Sequence, residues 1–181
     1  LSDRHELRLM NSADALTEIM GSRPPTVVCD VTDNQQIEAM INFAVGQTGQ
    51  LDVLINNAGL GGTAAVVDMT DAQWDRVMDV TLTSTFRCTR AALRHMIPRR
   101  SGCIVNNASV LGWRAQKGQA HYAAAKAGVM ALTRCAAVEA AEANVRINAV
   151  APSLAMHKFL EKVTTPELLA ELTSKEAFGR A

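Results

Sequence analysis

The chain of 181 residues carries 18 Lys and Arg side chains against 18 Asp and Glu side chains, so its formal net charge is zero. This balance and the lack of a basic run argue against a nucleic-acid partner. No apolar run approaches the roughly 20 residues of a membrane span, and no signal-peptide pattern opens the chain, which argues against a membrane partner. The length suits one domain.

The cysteines and histidines do not have the spacing of a metal site. The four cysteines, at positions 29, 88, 103 and 135, form no CxxC pair, and the four histidines are scattered. Two cysteines fall in apolar strand runs and two in helical stretches. This pattern predicts reduced, packed thiols in a cytoplasmic protein, and no metal.

The first elements alternate between strand and helix. Residues 1–3 are typical of the end of a strand, and the polar stretch 5–20 predicts a helix. The apolar run 26–29 predicts a short buried strand. A capping box at 32–35 then predicts the start of a scaffold helix. The apolar residues of that helix fall on one stripe: Ile37, Met40, Ile41, Ala44 and Val45.

The next strand is predicted over residues 51–55, and it leads into the turn Asn56–Gly59. Small residues and a glycine in such a turn let the backbone approach a ligand closely. A second capping box at 70–73 predicts a long helix that reaches about Met96 and is ended by Pro98. This helix carries its less polar residues at i, i+3, i+4 and i+7 spacing.

A serine, a tyrosine and a lysine follow the predicted strand 103–107. Ser109 closes this apolar run, which places it at the carboxyl end of a strand, where open α/β sheets bind their ligands. Tyr122 comes thirteen positions later, and Lys126 follows it at i+4. On a helix the tyrosine and the lysine therefore share one face.

The chemistry of these three residues follows from their types. A phenol with the ordinary pKa of about 10 is a poor base at neutral pH. An ammonium about 4 Å away contributes roughly 4 kcal/mol, or about three pKa units, at an effective dielectric near 20. We therefore expect Lys126 to lower the pKa of Tyr122, and Ser109 to hold a substrate oxygen against the phenol. The alternative is a surface tyrosine with an unrelated lysine four residues later. The combined spacing of serine, tyrosine and lysine argues against this alternative.

The rest of the chain continues the alternation. The alanine-rich stretch 122–142 predicts a helix that can pack closely, and 145–150 predicts a strand. Residues 158–178 form an amphipathic segment. Strands that alternate with helices throughout predict an α/β fold, a doubly wound parallel sheet with helices on both faces and right-handed crossovers.

On these motifs the chain resembles the short-chain dehydrogenase/reductase family over nearly all its length. The resemblance implies a Rossmann-type sheet in a single dinucleotide-binding and catalytic domain over residues 1–181, with a substrate lid at 153–178. It also implies that the family's first strand, its glycine-rich turn and its last strand are not among these residues. Four stretches carry the resemblance, in the family's order: Cys29–Val31, Asn56–Gly59, the set Ser109, Tyr122 and Lys126, and Val145–Pro152.

The resemblance implies NAD as the cofactor, with NADP possible. Asp3 matches the acid that accepts hydrogen bonds from the adenosine ribose and repels a 2′-phosphate, although it could instead cap a helix. Arg4 could pair with a phosphate. His157 is expected near the nicotinamide carboxamide. The residues expected to bind the cofactor are Asp3, Asp30, Val31, Asn57, Ala58, Gly59, Tyr122, Lys126, Pro152 and Ala155.

Thr81 departs from the family pattern. Most members have an asparagine at this place, which kinks the helix and holds a water in the proton relay to the lysine. The threonine hydroxyl could serve in that relay, or it could bond to the carbonyl of its own i−4 residue. The departure puts the relay in doubt, but not the hydride transfer.

The family implies oxidoreduction between a secondary alcohol and a ketone, with Ser109, Tyr122 and Lys126 as the catalytic residues. The mostly apolar lid and pocket favour a bulky substrate, such as a 3-oxoacyl thioester or a steroid-derived ring ketone. Residues 152–160 resemble reductases of steroid-ring breakdown. The candidates for the substrate wall are Trp113, Gln116 and His121.

The resemblance also bears on assembly and on rival functions. In the family, the helices predicted after 70–73 and over 122–142 form an interface between subunits, which implies a homodimer or homotetramer. Dehydratases and epimerases on this scaffold usually carry a long carboxy-terminal domain. A further alternative is a non-catalytic, nucleotide-binding relative that acts as a structural subunit.

Overall fold

The computed structural model describes residues 1–155, 165–176 and 179. Within this part of the chain, five strands and six α-helices follow one another. The strands are β1 (Ser2–Asp3), β2 (Val27–Val28), β3 (Val53–Asn56), β4 (Gly102–Asn107) and β5 (Val145–Val150). The helices are α1 (Glu6–Met20), α2 (Asn34–Thr48), α3 (Asp71–Met78), α4 (Ser84–Arg99), α5 (Ala120–Ala141) and α6 (Pro166–Ser174).

All paired strands run parallel. β1 pairs with β2, while β3, β4 and β5 pair side by side in that order. Each connection between paired strands therefore crosses over through a helix. The predicted α/β fold with parallel strands is confirmed. Within the described residues the strands form two hydrogen-bonded groups, rather than one continuous sheet.

The core lies between the strands and helices α2, α4 and α5. Ile104 on the central strand β4 and Met96 on α4 are completely buried. Small side chains on α4 and α5 let these helices approach the sheet closely. The buried members of this core include Cys29, Ile37, Ile41, Cys88, Ala91, Ala92, Ala136, Ala140, Val145 and Ile147.

The capping box predicted at Thr70 is confirmed, and the one predicted at Thr32 is wrong by one residue. Thr70 accepts a hydrogen bond from the backbone of Gln73, whose side chain accepts one from the backbone of Thr70. At α2, Asp33 is the N-cap and accepts from two backbone N–H groups. Thr32 instead donates its hydroxyl to the Asp30 carboxylate (2.8 Å), so it is not available as a cap.

The long helix after Thr70 differs from its prediction in two ways. A π-helical turn, Asp79–Thr83, separates α3 from α4. The helix also continues past Pro98 to Arg99, rather than ending near Met96. The guanidinium of Arg99 donates hydrogen bonds to the Leu51 carbonyl (2.8 Å) and to Asp52 (2.9 Å), and these contacts hold the last turn in place.

A buried chain of amides and hydroxyls joins the strands to the helices just below the carboxyl ends of β3 and β4. The Asn56 amide donates to the Asn106 side-chain oxygen (2.9 Å) and to Thr89 on α4 (3.2 Å). The Asn106 amide in turn donates to Thr133 on α5 (2.9 Å). Because buried polar groups need partners, these bonds set the position of α5 against β4.

Among the described residues, no helix is both long enough and apolar enough to cross a bilayer. In the same part of the chain, no three or more His, Cys, Asp or Glu side chains are grouped as metal ligands would be.

Candidate active site

Ser109 and Tyr122 meet at the carboxyl end of β4. Ser109 lies two residues after the end of this strand in an extended conformation, and its hydroxyl accepts a hydrogen bond from the backbone N–H of Leu111 (3.2 Å). Tyr122 lies in the first turn of α5, where it is half-buried. Burial raises the pKa of the Tyr122 phenol above its ordinary value, and a hydrogen bond with the Ser109 hydroxyl acts in the opposite direction.

Lys126 lies one turn further along α5 and is 3% exposed. Its ammonium is 5.6 Å from the centre of the Tyr122 ring and donates to the main-chain carbonyl of Asn107 (2.5 Å). Burial lowers the pKa of Lys126 to about 8, because the charged form loses its hydration. The prediction that the pKa of Tyr122 falls is therefore wrong for this structure. Desolvation of the phenol outweighs an ammonium that is directed at a carbonyl.

The turn after β3 lies directly beside this ammonium. Asn57, Ala58 and Gly59 are exposed. A Cβ atom on Gly59 would lie 3.5 Å from the Lys126 Nζ, so the glycine leaves a free space next to the charge. Asn107 donates its side-chain amide to the Asn57 side-chain oxygen (2.8 Å). An ammonium and carboxamides around a space without side chains suit the hydroxyls of a ribose, so these residues fit a dinucleotide.

The loop that follows this turn is held over the ring of Tyr122. The side-chain amide of Gln119 donates to the Gly62 carbonyl (2.8 Å) and to the Thr63 hydroxyl (3.2 Å). A Cβ atom on Gly61 would lie 3.8 Å from the Tyr122 Cδ2 atom. Our sequence analysis missed this contact. The two adjacent glycines at 61 and 62 could have predicted this contact, because residues without side chains let the loop backbone approach an aromatic ring closely.

The match to known proteins covers most of the chain. The family model for short chain dehydrogenases matches residues 1–167. The chain belongs to the short-chain dehydrogenase family.

Three relatives illustrate the similarity. The chain is 61% identical over 182 residues to a (5R,7aS)-5-hydroxy-7a-methyl-1-oxo-2,3,5,6,7,7a-hexahydro-1H-indene-carboxyl-CoA reductase of Mycobacterium tuberculosis, with 100% of the chain and 70% of that protein covered. It is 42% identical over 153 residues to the 3-oxoacyl-[acyl-carrier-protein] reductase FabG of Thermotoga maritima, with 84% of the chain and 60% of that protein covered. The crystal structure of a short chain dehydrogenase from Mycobacterium smegmatis is 60% identical, with a TM-score of 0.81, and the match covers 86% of the chain and 65% of that structure.

The chain thus spans between 60% and 70% of the length of these three relatives. Membership of the short-chain dehydrogenase family places the chain among oxidoreductases, and the two named relatives are both reductases. The alternative of a non-catalytic structural subunit is not favoured.

The residues predicted at the adenosine half of the cofactor lie on or just after β1 and β2. A carboxylate oxygen of Asp3 accepts a hydrogen bond from the backbone N–H of His5 (2.8 Å), and His5, not Asp3, is the N-cap of α1. Asp30 accepts from the backbone and the hydroxyl of Thr32, which lowers the pKa of its carboxyl group. Val31 is half-buried. Their roles in binding a short-chain dehydrogenase cofactor remain predictions.

Pro152 and Ala155 follow β5, and Pro152 contacts the segment next to the serine. The Pro152 carbonyl accepts a hydrogen bond from the backbone N–H of Val110 (3.0 Å), next to Ser109 in sequence. Ala155 is exposed. His157 and much of the predicted lid lie outside the described residues. Within the lid range the structure describes α6 and a hydrogen bond from the Ser153 hydroxyl to Glu176 (2.5 Å).

The three candidates for the substrate wall have different surroundings. His121 is 2% exposed, and its Nδ1 atom accepts a hydrogen bond from the Tyr122 backbone N–H (2.9 Å). A Cβ atom on Gly62 would lie 3.2 Å from the His121 Nε2, so this imidazole packs against the loop over the phenol. Trp113 is exposed and lines a cleft of about 520 Å³ between α5 and β5. Gln116 is half-buried and accepts a backbone bond from Gln119.

Thr81 lies in the π-helical turn and is completely buried. Its hydroxyl donates to the Leu60 carbonyl (3.2 Å) and accepts from the Leu60 backbone N–H (3.0 Å). The alternative that Thr81 bonds to its own i−4 carbonyl is therefore wrong, although Thr85 and Ser84 do so. The threonine hydroxyl is used to hold the loop next to Gly59.

The contact between Thr81 and the loop can be tested with Thr81→Val, which removes the hydroxyl but keeps a similar shape. We expect the free energy of unfolding to fall by about 1–3 kcal/mol, because two half-buried backbone groups of Leu60 lose their partner. We also expect a severalfold higher KM for the nucleotide with little change in kcat, since the loop and not the reaction is disturbed.

Thr85→Val is a matched control, because the Thr85 hydroxyl bonds only within its own helix, to the Thr81 carbonyl (2.8 Å). It should leave the nucleotide KM unchanged. A fall of kcat by about tenfold or more in Thr81→Val, at saturating nucleotide, would instead assign the threonine to proton transfer.

Proposed function

We propose that the protein interconverts a secondary alcohol and a ketone with NAD or NADP, and that Ser109, Tyr122 and Lys126 are its catalytic residues. The observation that carries this proposal is the grouping of a serine hydroxyl, a half-buried phenol and a buried ammonium at the carboxyl end of β4. Open α/β sheets bind their ligands at this end.

The residues of the chain have distinct roles in this reaction. A bound nicotinamide supplies or accepts the hydride. In the direction of reduction, the Tyr122 hydroxyl donates its proton to the carbonyl oxygen of the substrate, while the Ser109 hydroxyl donates a hydrogen bond to the same oxygen. The raised pKa of Tyr122 keeps the phenol protonated at neutral pH, as a proton donor requires. The Lys126 ammonium stabilises the phenolate left after the transfer.

We assign the cofactor NAD ahead of NADP, on the position of Asp3. This residue lies at the carboxyl end of β1, and one of its carboxylate oxygens is engaged by the His5 backbone. Its negative charge would repel a 2′-phosphate. Arg4 is adjacent, but its guanidinium donates to the His5 ring (3.1 Å).

For the substrate, we propose a bulky apolar ketone carried as a thioester. The named relatives support this class. They are an indene-carboxyl-CoA reductase and a 3-oxoacyl-[acyl-carrier-protein] reductase, and both act on thioester substrates by name. The higher identity to the first relative favours a fused-ring ketone over a linear 3-oxoacyl chain.

The proposal is tested by following the absorbance of NADH or NADPH with a panel of ketones. The panel holds a fused-ring ketone as its CoA thioester, a linear 3-oxoacyl thioester and a small cyclic ketone. We expect turnover with NADH, and the highest kcat/KM with the fused-ring thioester. No oxidation of either nucleotide with any ketone, by a protein that binds NADH, would refute the proposed activity.

We also propose that the protein is a homo-oligomer, a dimer or a tetramer, in the cytoplasm. A cleft of about 400 Å³ lies between α4 and α5. Phe86 and Ile97 line it and are each more than 40% exposed, so this apolar surface is suited to a second copy of the chain. All four cysteines are free thiols, which supports a reducing compartment.

A further inference from the structure

Asn107, the last residue of β4, has an unusual set of contacts. Its main-chain carbonyl accepts from Lys126 (2.5 Å), and its side-chain nitrogen donates to the Asn57 side chain (2.8 Å). Its side-chain oxygen is buried and has no hydrogen-bond partner among the described residues. Only one other buried side-chain atom in that part of the chain, the Nε of Arg90, shares this property.

An unpaired buried acceptor is unfavourable, and most such atoms in proteins are paired. The carboxamide of Asn107 cannot readily turn to find a partner, because the bond to Asn57 fixes its orientation. The side-chain oxygen of Asn107 therefore keeps an unused capacity to accept a hydrogen bond. This arrangement points to a hydrogen-bond donor that arrives with a ligand.

The contacts of the other Asn107 atoms indicate which donor its side-chain oxygen would accept. Asn107 connects the turn that holds Asn57 and Gly59 to the ammonium of Lys126, and it precedes Ser109 by two residues. An ammonium offers only donors, and the free carboxamide oxygen only accepts. A hydroxyl group can satisfy both, because it accepts from one neighbour and donates to the other. A ribose carries two adjacent hydroxyls.

We propose that Asn107 is a further nucleotide-binding residue, and that its side-chain oxygen accepts a hydrogen bond from a hydroxyl of the ribose next to the nicotinamide. The inference rests on the proposed function, since it needs a dinucleotide at this end of the sheet. The reacting end of the dinucleotide is chosen because Lys126 donates to the Asn107 carbonyl and Ser109 follows Asn107 by two residues. The adenosine ribose is expected near Asp3, on a different strand pair.

The test compares three nucleotides by isothermal titration calorimetry with the full-length protein. NADH contains both riboses and the nicotinamide, ADP-ribose lacks only the nicotinamide, and ADP lacks the second ribose as well. We expect Asn107→Ala to weaken NADH and ADP-ribose by about fivefold to tenfold, the usual worth of one hydrogen bond, and to leave ADP unchanged. Asn42→Ala, which removes an exposed amide on α2, should change none of the three.

A second variant separates binding from structure. Asn107→Asp keeps an acceptor oxygen but loses the amide that donates to Asn57. We therefore expect it to retain the affinity for ADP-ribose while its midpoint of thermal unfolding falls. Equal losses for ADP and ADP-ribose in Asn107→Ala would show a structural role through Asn57 and overturn the inference. So would unchanged affinities for all three nucleotides. If the parent protein bound none of them, the proposed function itself would fail, and this inference with it.

Discussion

Replacing Tyr122 by phenylalanine is expected to lower kcat by at least about a hundredfold, the usual worth of a positioned proton donor. The substitution removes only the hydroxyl, so the half-buried ring keeps its packing against α5 and the loop at Gly61. We therefore expect the midpoint of thermal unfolding to stay as in the parent protein. The affinity for NADH should fall by no more than about tenfold, since only one hydrogen bond to the nucleotide can be lost. Steady-state kinetics with the fused-ring thioester measure kcat, NADH fluorescence measures the affinity, and thermal denaturation measures the unfolding midpoint.

The same residue allows a direct measurement of its ionisation, because Tyr122 is the only tyrosine among the 181 residues. Burial raises the pKa of its phenol, so its phenolate absorbance should emerge above the ordinary value of about 10. A Tyr122→Phe protein that retained the kcat of the parent would exclude the phenol as the proton donor. A phenolate signal already present at neutral pH would contradict the burial argument.

Replacing Lys126 by alanine is expected to lower kcat by at least about a hundredfold and also to weaken nucleotide binding. The ammonium is both the charge nearest the phenol and the donor beside the space at Gly59, so its loss affects proton transfer and ribose binding together. Tyr122→Phe should lower kcat with a much smaller effect on nucleotide binding, because it removes no charge. The two variants are thus separated by the dissociation constant of NADH.

The pH dependence of the parent protein gives a second readout for Lys126. Burial lowers the pKa of this amine to about 8, so it is charged at neutral pH and loses its proton as the pH rises through about 8. Because kcat/KM reports groups of the free enzyme, we expect it to fall above that pH. The fall should disappear from the residual activity of Lys126→Ala. Lys117→Ala, which removes an exposed lysine from the loop before α5, should behave as the parent.

A fall of kcat/KM near pH 8 that persisted in Lys126→Ala would assign the ionisation to another group. Unchanged NADH affinity in that variant would show that the ammonium does not contact the ribose, even if kcat were reduced. The first outcome tests the role of the lysine in proton transfer, and the second tests its role in ribose binding, so each role can be refuted independently.

Much of the local structure follows from short-range rules. Strand and helix alternate as their periodicity predicts, and the Thr70 capping box forms because its two partners are three residues apart on the first turn of a helix. Tyr122 and Lys126 share a face of α5 because i and i+4 always do. The position of Ser109 after a strand was likewise predicted from the apolar residues just before it. These features depend on neighbours within a few residues, which the sequence displays directly.

The chemistry of the site depended on contacts between residues far apart in the chain. The Lys126 ammonium is directed at the carbonyl of Asn107, nineteen residues earlier, and Thr81 holds Leu60, twenty-one residues earlier. No periodicity could show that burial would raise the pKa of the phenol instead of the ammonium lowering it. The sequence by itself determined the elements and the spacing of the catalytic side chains. Only the tertiary structure decided their partners and pKa values, because desolvation and hydrogen-bond partners are set by how separate elements pack.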